Sequence, residues 1–449
     1  MWTSFQLKNF KGYQDSGIQS LRKITVLIGP NGGGKSTLLK FFMMLKQTVE
    51  SSDIQSALIS RGEEGKGGYV DLGLFKEFVY MGEKQRPVSF SLTWDPGNNP
   101  RRGERAKTDN GTVMEVNGIK VVLEQRGARN QVVVSNLSYQ DAKNQQWFVN
   151  LSRGEKAAYH LEIPEDWKGD RLSASNKFYE PQKFCRFSPA LLADLPSNTE
   201  GRLRTYVAEF EDRIINTYYL GPLRDDPRRI YEATGERPED IGMKGQRIGS
   251  VLYAQPNEDL IDQTTFWLQE LDIAEKFSLS RISRDNFFSL NITGKNLKYA
   301  ANITDYGFGA SQILPVLIES LYAPAGATVL IEQPEIHLNA HHQLKLPNFF
   351  ASLIHNQGPI SKQFIIETHS EYFLKRLSTL VARKELLPEE LAVLYCYADE
   401  DGSHIQPIEL DSQGRYSWWP KDFLSEGFEG ATEYMEAIQA GEEEADAKE

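Results

Sequence analysis

Cysteine is almost missing: the 449 residues contain only Cys185 and Cys396. Two thiols are too few for a disulfide framework or a cysteine-ligated zinc site, and they fit a reducing interior. No apolar run approaches the roughly 20 residues that span a bilayer. The opening MWTSFQLKNFKG has no basic segment leading into an apolar core, so no secretory leader is expected. No heptad pattern is sustained and no segment repeats, which excludes a long coiled coil and a solenoid. These absences predict a cytoplasmic protein with no membrane association.

Basic charge is also short, with 50 Lys and Arg against 62 Asp and Glu and a formal net charge of −12. The deficit is local. From Lys421 onward ten acids face two bases, so the rest of the chain is near neutral and can carry basic patches. The tail AGEEEADAKE reads as a solvated, frayed end. A hydrophobic content of 40% and a charged content of 25% are those of a globular chain.

Against this background one stretch carries specific chemistry. GPNGGGKST, Gly29 to Thr37, fits G-x-x-x-x-G-K-[ST], with the apolar strand ITVLIG before it and the helix STLLKFFMML after it. Gly29, Pro30, Asn31, Gly32, Gly33 and Gly34 form a loop whose backbone N–H groups can surround phosphates at a helix N-terminus. Lys35 is placed for the terminal phosphates, Ser36 for Mg²⁺, and Thr37 continues the loop. This predicts ATP and Mg²⁺ as ligands.

From Val88 to about Ile163 the hydrophobic period becomes two, which predicts antiparallel strands, with Asn117-Gly118 as a hairpin turn. The polar loop NNPRRGERAKTDNG carries Arg101, Arg102, Arg105 and Lys107. Leu203, Val207, Phe210, Ile214 and Tyr218 fall on one helical face. A helical stretch is expected over roughly 246–275, and FFSLNI with LKYAANI as a strand pair. From 306 onward a glycine turn, a helix and then strands alternating with helices (328–331, 364–367, 391–397) predict parallel α/β structure.

Three features of that last region bear on function. Gly307-Phe308-Gly309 opens a helix with free N–H groups, as the first loop does. TVLIEQPEIHL, Thr328 to Leu338, is a buried strand ending in Glu332, Gln333 and Glu335. QFIIETHS ends a second strand in Thr368-His369-Ser370, placing His369 beside the first. LSRGEK, Leu151 to Lys156, sits inside the antiparallel region and reads as a hairpin turn. His337 and His341 lack a third ligand and read as a loop facing a partner subunit rather than a metal site.

Together FQLKNFKGY, GPNGGGKST, YLGPLRDDPR, YGFGASQILP, IEQPEIHL, ETHS and WWPKDF resemble the SMC-like AAA/ABC ATPases related to the OLD and RecF proteins. Within that group the chain is similar to the ATPase subunits of anti-phage defence systems, of the Septu type (paired with an HNH nuclease) or the PARIS type (paired with a Toprim effector). The resemblance implies an α/β ABC/SMC-type ATPase head: a mixed β-sheet with flanking helices plus an antiparallel β-subdomain, and a mainly helical insertion. Its expected parts are lobe I (1–170), the insertion (171–300), lobe II (301–400) and a C-terminal extension with the acidic tail (401–449). It also implies homodimers, or higher homo-oligomers, with ATP between one subunit's glycine loop and the other's signature helix. Gly307, Gly309 and Ser311 would then touch nucleotide, with Ser311 or the backbone alone replacing the usual signature Ser.

In such ATPases the strand corresponding to Thr328–Ile331 usually runs into Asp-Glu. Here Glu332 takes the Mg²⁺-side position and Gln333 the water-activating one. A Gln orients water but accepts no proton, so slow hydrolysis is expected, with Glu335 as the nearest replacement base and His369 as the switch histidine. The first function is thus a slow ATPase that scaffolds or regulates a separate HNH or Toprim effector. Only 79 residues follow Ser370, too few for the Toprim domain that OLD proteins append, and no nuclease motif appears, so cutting would need a partner. The alternatives are a RecF-like repair ATPase gripping duplex DNA through Arg101–Lys107, Arg224, Arg228 and Arg229, or a nucleotide sensor without turnover.

Overall fold

The computed structural model describes residues 1–62, 68–98, 115–126, 131–154, 158–168, 179–233, 235–254, 258–282, 286–295, 298–355, 361–421 and 423. Arg101, Arg102, Arg105 and Lys107 and most of the acidic tail lie outside these residues.

Alternation along Val88–Trp94 buries Val88, Phe90, Leu92 and Trp94 and leaves the residues between half-covered, as in a strand with one face on a core. This strand, β5, belongs to an eight-stranded sheet with β1 (Trp2–Phe10), β2 (Tyr13–Asp15), β3 (Gln19–Ser20), β6 (Val116–Arg126), β7 (Gln131–Asp141), β8 (Trp147–Arg153) and β9 (Tyr159–Glu162). All its pairings are antiparallel. Asn117-Gly118 is not a hairpin turn. It lies inside β6, where the register with β7 shifts between Val116 and Gly118. A Cβ at Gly118 would press on Gln140 of β7, so the glycine serves a bulge and a close cross-strand approach. β8 and β9 pair antiparallel, with Gly154 N–H donating to Ala158 O, and Glu155 and Lys156 of the LSRGEK segment lie outside the described residues.

The central sheet has the order β10 (Thr217–Leu220), β15 (Thr328–Glu332), β16 (Gln363–Glu367), β4 (Ile24–Ile28), β17 (Leu391–Asp399), β18 (Gly402–Ile408), and only β18 is antiparallel to its neighbour. β4, β15 and β16 are buried at every position, as strands covered on both faces must be. Their residues alternate between two cores. Leu27, Leu330 and Ile365 join the core shared with α1 (Lys35–Glu50) and the antiparallel sheet. Val26, Ile331 and Ile366 join the core formed with α8 (Phe308–Tyr322), α9 (Ala340–His355) and α10 (Glu371–Ala382).

The remaining helices are α2 (Phe75–Phe78), α3 (Pro189–Ala193), α4 (Ser197–Ile215), α5 (Ile248–Tyr253), α6 (Glu258–Glu270) and α7 (Ile303–Tyr306). The described residues of 171–300 hold strands as well as helices. α4 buries Leu203, Tyr206, Phe210 and Ile214 in the first core, β10 is the edge of the central sheet, and β11 (Tyr231–Glu232), β12 (Lys276–Arg281) and β13 (Phe287–Thr293) form a third sheet with β14 (Ala301–Asn302). Tyr218, expected on the helix face, belongs to β10, because α4 ends at Ile215. No described helix is long and apolar enough to cross a membrane.

Candidate nucleotide site

The site begins where β4 ends. Gly29 (φ 134°) and Gly33 lie against β17, and a Cβ on either would overlap the carbonyl oxygen of Cys396. Glycine is thus required by the floor of the loop as well as by any ligand above it. Pro30, Asn31 and Gly32 form the exposed rim. Gly34 (φ 99°) caps α1 without a side-chain hydrogen bond, so the first N–H groups of that helix have no side-chain acceptor.

Lys35 is buried and donates to Gly29 O (2.9 Å) and Pro30 O (2.8 Å), folded back on its own loop. Burial lowers its pKa, against the pull of Glu367. The Ser36 hydroxyl donates to Glu367 Oε2 at 2.7 Å, and Lys35 Nζ lies 3.9 Å from Glu367 Oε1. Thr37 N–H donates to Gly34 O.

Glu367 and Glu332 are the last residues of β16 and β15 and stand opposite each other in register. Parallel strands put such partners on one face about 5 Å apart. Both side chains are buried. Glu332 Oε1 accepts from the Tyr219 hydroxyl at 2.7 Å. Burial, then the charge of Glu367, pushes Glu332 up to about 7, and burial raises Glu367 as well.

Gln333 adopts a left-handed φ of 45°, which few side-chain-bearing residues tolerate. Its N–H donates to Glu367 O at 2.7 Å. Arg224, 7% exposed, donates through Nη2 to Glu332 O (2.9 Å) and Gln333 O (3.1 Å), which pins this turn from the far side. Its Nε and Nη1 have no hydrogen-bond partner, and burial lowers its pKa to about 10. Arg224 is therefore no surface contact for DNA. Arg229 forms a two-pronged ion pair with Asp305 (2.9 and 2.6 Å), not with the neighbouring Asp225 or Asp226.

Glu335 is buried and faces β16. Its Oε1 accepts from Thr368 Oγ1 (2.7 Å) and His369 N–H (2.8 Å), while Oε2 has no partner, and burial raises its pKa. It thereby holds the His369 loop. The His369 ring has its pKa lowered, first by burial and then by Lys35.

Gly307, Gly309 and Ser311 form a second group. Gly307 (φ 129°, ψ 145°) opens α8 with no side-chain cap. A Cβ on Gly309 would come within 2.9 Å of His337 O, so the turn after β15 rests on the start of α8. Ser311 is buried and its hydroxyl donates to Phe308 O at 2.7 Å, which leaves the backbone N–H groups as the polar surface of this helix end. Phe308, 51% exposed, meets the His337 ring edge-on at 4.6 Å. His337 precedes α9 in a left-handed turn, whereas His341 contacts Asp272 at 3.0 Å, so the two histidines do not converge. No group of three or more His, Cys, Asp or Glu among the described residues could hold a metal.

A glycine loop leading into a helix start with no side-chain cap, a buried lysine, a hydroxyl and two hard carboxylates suit a phosphate chain with a divalent cation. Among the described residues, Lys35 is the one base within ion-pair distance of these crowded acids, so a cation fits this donor set. Sequence reasoning placed Lys35, Ser36, Glu332, Gln333, Glu335 and His369, which gather at the ends of β4, β15 and β16. It missed Glu367, quoted inside ETHS, and the inward role of Arg224. The signal for Glu367 was an acid directly after the apolar run Phe364-Ile365-Ile366 of β16.

The model of the family described as "AAA domain, putative AbiEii toxin, Type IV TA system" matches residues 24–375. No curated protein matches the chain. Among solved structures it is similar to the SMC head domain from Thermotoga maritima, with 11% identity, 91% of this chain and 99% of that chain covered, and a TM-score of 0.40. It is also similar to an Smc head bound to the C-terminal winged-helix domain of ScpA (13% identity, 91% and 98% covered, TM-score 0.45). A third is the Pyrococcus furiosus Smc head with an extended coiled coil bound to the C-terminal domain of ScpA (11% identity, 98% and 99% covered, TM-score 0.43).

Proposed function

The chain belongs to the AAA-domain family whose model spans residues 24–375, and from that membership we propose that it is a slow ATPase used as a conformational switch. It binds ATP with Mg²⁺ at the Gly29–Thr37 loop and pairs with a second copy across the nucleotide. In that state it scaffolds or regulates a separate nuclease or Toprim effector in anti-phage defence. The observation that carries the slow-switch reading is Gln333, held rigidly by Glu367 O and Arg224 at the position where water would be activated.

Each residue has a part. Lys35 exchanges its two loop carbonyls for phosphate oxygens. The uncapped end of α8 offers N–H groups to the terminal phosphate of a nucleotide bound by the partner copy. Mg²⁺ supplies charge neutralisation on the phosphates. Gln333 orients water, and Glu335, through its unpartnered Oε2, accepts the proton. His369 lies on the loop that Glu335 holds and senses the terminal phosphate.

Phosphate release and mass in solution test this reading. Turnover well below the median enzyme value of about 10 s⁻¹, with dimers in ATP and monomers in ADP, is the expected result. Strong stimulation by duplex DNA would favour a repair ATPase instead. Co-purification with the product of an adjacent nuclease or Toprim gene tests the partner.

A further inference from the structure

Beyond the proposed nucleotide site, and resting on it, we infer that Glu367 is a metal-holding residue: with Ser36 it forms the protein's direct contact to the divalent cation, and Glu332 supports from the side. In the site as expected from the sequence, Ser36 and Glu332 at the end of β15 share this task, and Glu367 has no part in it.

Four observations place Glu367 there. Its Oε2 accepts from Ser36 Oγ at 2.7 Å, the hydroxyl that this loop contributes to a metal and that Glu332 also approaches. Its Oε1 lies 3.9 Å from Lys35 Nζ, so the carboxylate already spans the two residues that face phosphate and cation. Glu332, by contrast, is tethered through Oε1 to Tyr219, on the β10 side of β15. The register that sets Glu332 beside Glu367 leaves two buried acids side by side, and a divalent ion is the partner that relieves both.

One carboxylate and one hydroxyl would not complete a six-oxygen shell, so phosphate oxygens and waters would supply the rest. Metal and nucleotide therefore bind together, and Glu367 affects the metal more than the nucleotide.

The test uses the full chain and Mn²⁺ as a paramagnetic reporter. Binding of a fluorescent ATP analogue is first measured in EDTA, then Mn²⁺ is titrated into the ATP complex and followed by electron paramagnetic resonance. For Glu367→Gln, nucleotide affinity in EDTA stays near that of the parent. Its Mn²⁺ affinity falls ~10-fold or more, as losses of metal-site partners do, and further than in Glu332→Gln. Glu367→Asp, which keeps the charge, recovers part of the loss. Unchanged Mn²⁺ affinity in Glu367→Gln, or a larger loss in Glu332→Gln, overturns the inference while the nucleotide reading stands. Should Glu367→Gln fail to fold, Glu367→Asp decides, since a metal-contacting carboxylate shortened by one methylene must still weaken Mn²⁺ binding. If the parent chain binds no nucleotide with or without metal, the nucleotide reading falls and takes this inference with it.

Discussion

Gln333 offers water an amide that orients but accepts no proton. Replacing it with glutamate installs a base in a turn already shaped by Arg224 and Glu367 O, so Gln333→Glu is expected to raise phosphate release ~10-fold or more. Glu335→Gln should act in the opposite sense, lowering turnover by at least ~10-fold while nucleotide binding in EDTA is kept. Equal turnover in Glu335→Gln and parent would remove Glu335 from the proton path and leave it as the brace of the His369 loop. Lys35 and Ser36 were legible in the chain because phosphate chemistry puts its glycines, lysine and hydroxyl next to one another. Glu367 was not, because its partner Ser36 is 331 positions away and the link depends on strand register. Arg224 was hidden for the same reason: an arginine beside two aspartates reads as surface until burial shows it holding backbone carbonyls.

At the scale of elements, the two helix starts face opposite demands. α1 needs glycine because Cys396 O lies beneath its loop. Gly307, before α8, has no atom within 4 Å of an added Cβ, yet its φ and ψ fall in a region nearly closed to other residues. Gly307→Ala is therefore expected to cost ~1–3 kcal/mol through backbone strain alone, measured by urea unfolding. α8 also carries a buried acid. Glu319 is raised from 4.5 to about 7 by burial, against Ile241 N–H, Lys46, Arg247 and Lys362 around it. Lys362 is lowered from 10.5 to about 8, again by burial. The folded chain keeps the Glu319 proton longer than the unfolded chain, so this acid's contribution to stability is full at low pH and is lost between 4.5 and about 7. Lys362 releases its proton earlier when folded, so its penalty fades between about 8 and 10.5. The pair should give a stability minimum between these windows, and Glu319→Gln should flatten the acidic limb in thermal unfolding across pH. The elements themselves were legible where pattern is periodic, as in β5 or the β15–α9–β16–α10–β17 run. Asn117-Gly118 misled because the same dipeptide suits a tight turn and a bulge, and only the β7 neighbour decides between them.

For the whole molecule, α4 ties distant parts of the chain into one core. It lies in the stretch expected to be an insertion, yet Phe210 packs against Trp2, Trp94 and Phe184 in the first core. Phe210→Ala is expected to destabilise the chain by ~3–5 kcal/mol, seen as a lower urea midpoint. A fragment ending at residue 170 should accordingly show no cooperative transition.

The position of β4 has a consequence for how the protein comes into being. The strand that leads into the glycine loop lies between β16 and β17, pairing Ile24 with Phe364 and with Leu391. A chain emerging from the ribosome thus carries its phosphate loop for most of its synthesis without either flanking strand, and without the Cys396 carbonyl on which that loop rests. Nucleotide cannot template the early stages of folding. It can act only on a nearly finished chain, so ATP should trap the last step of refolding and leave the preceding ones at their own pace.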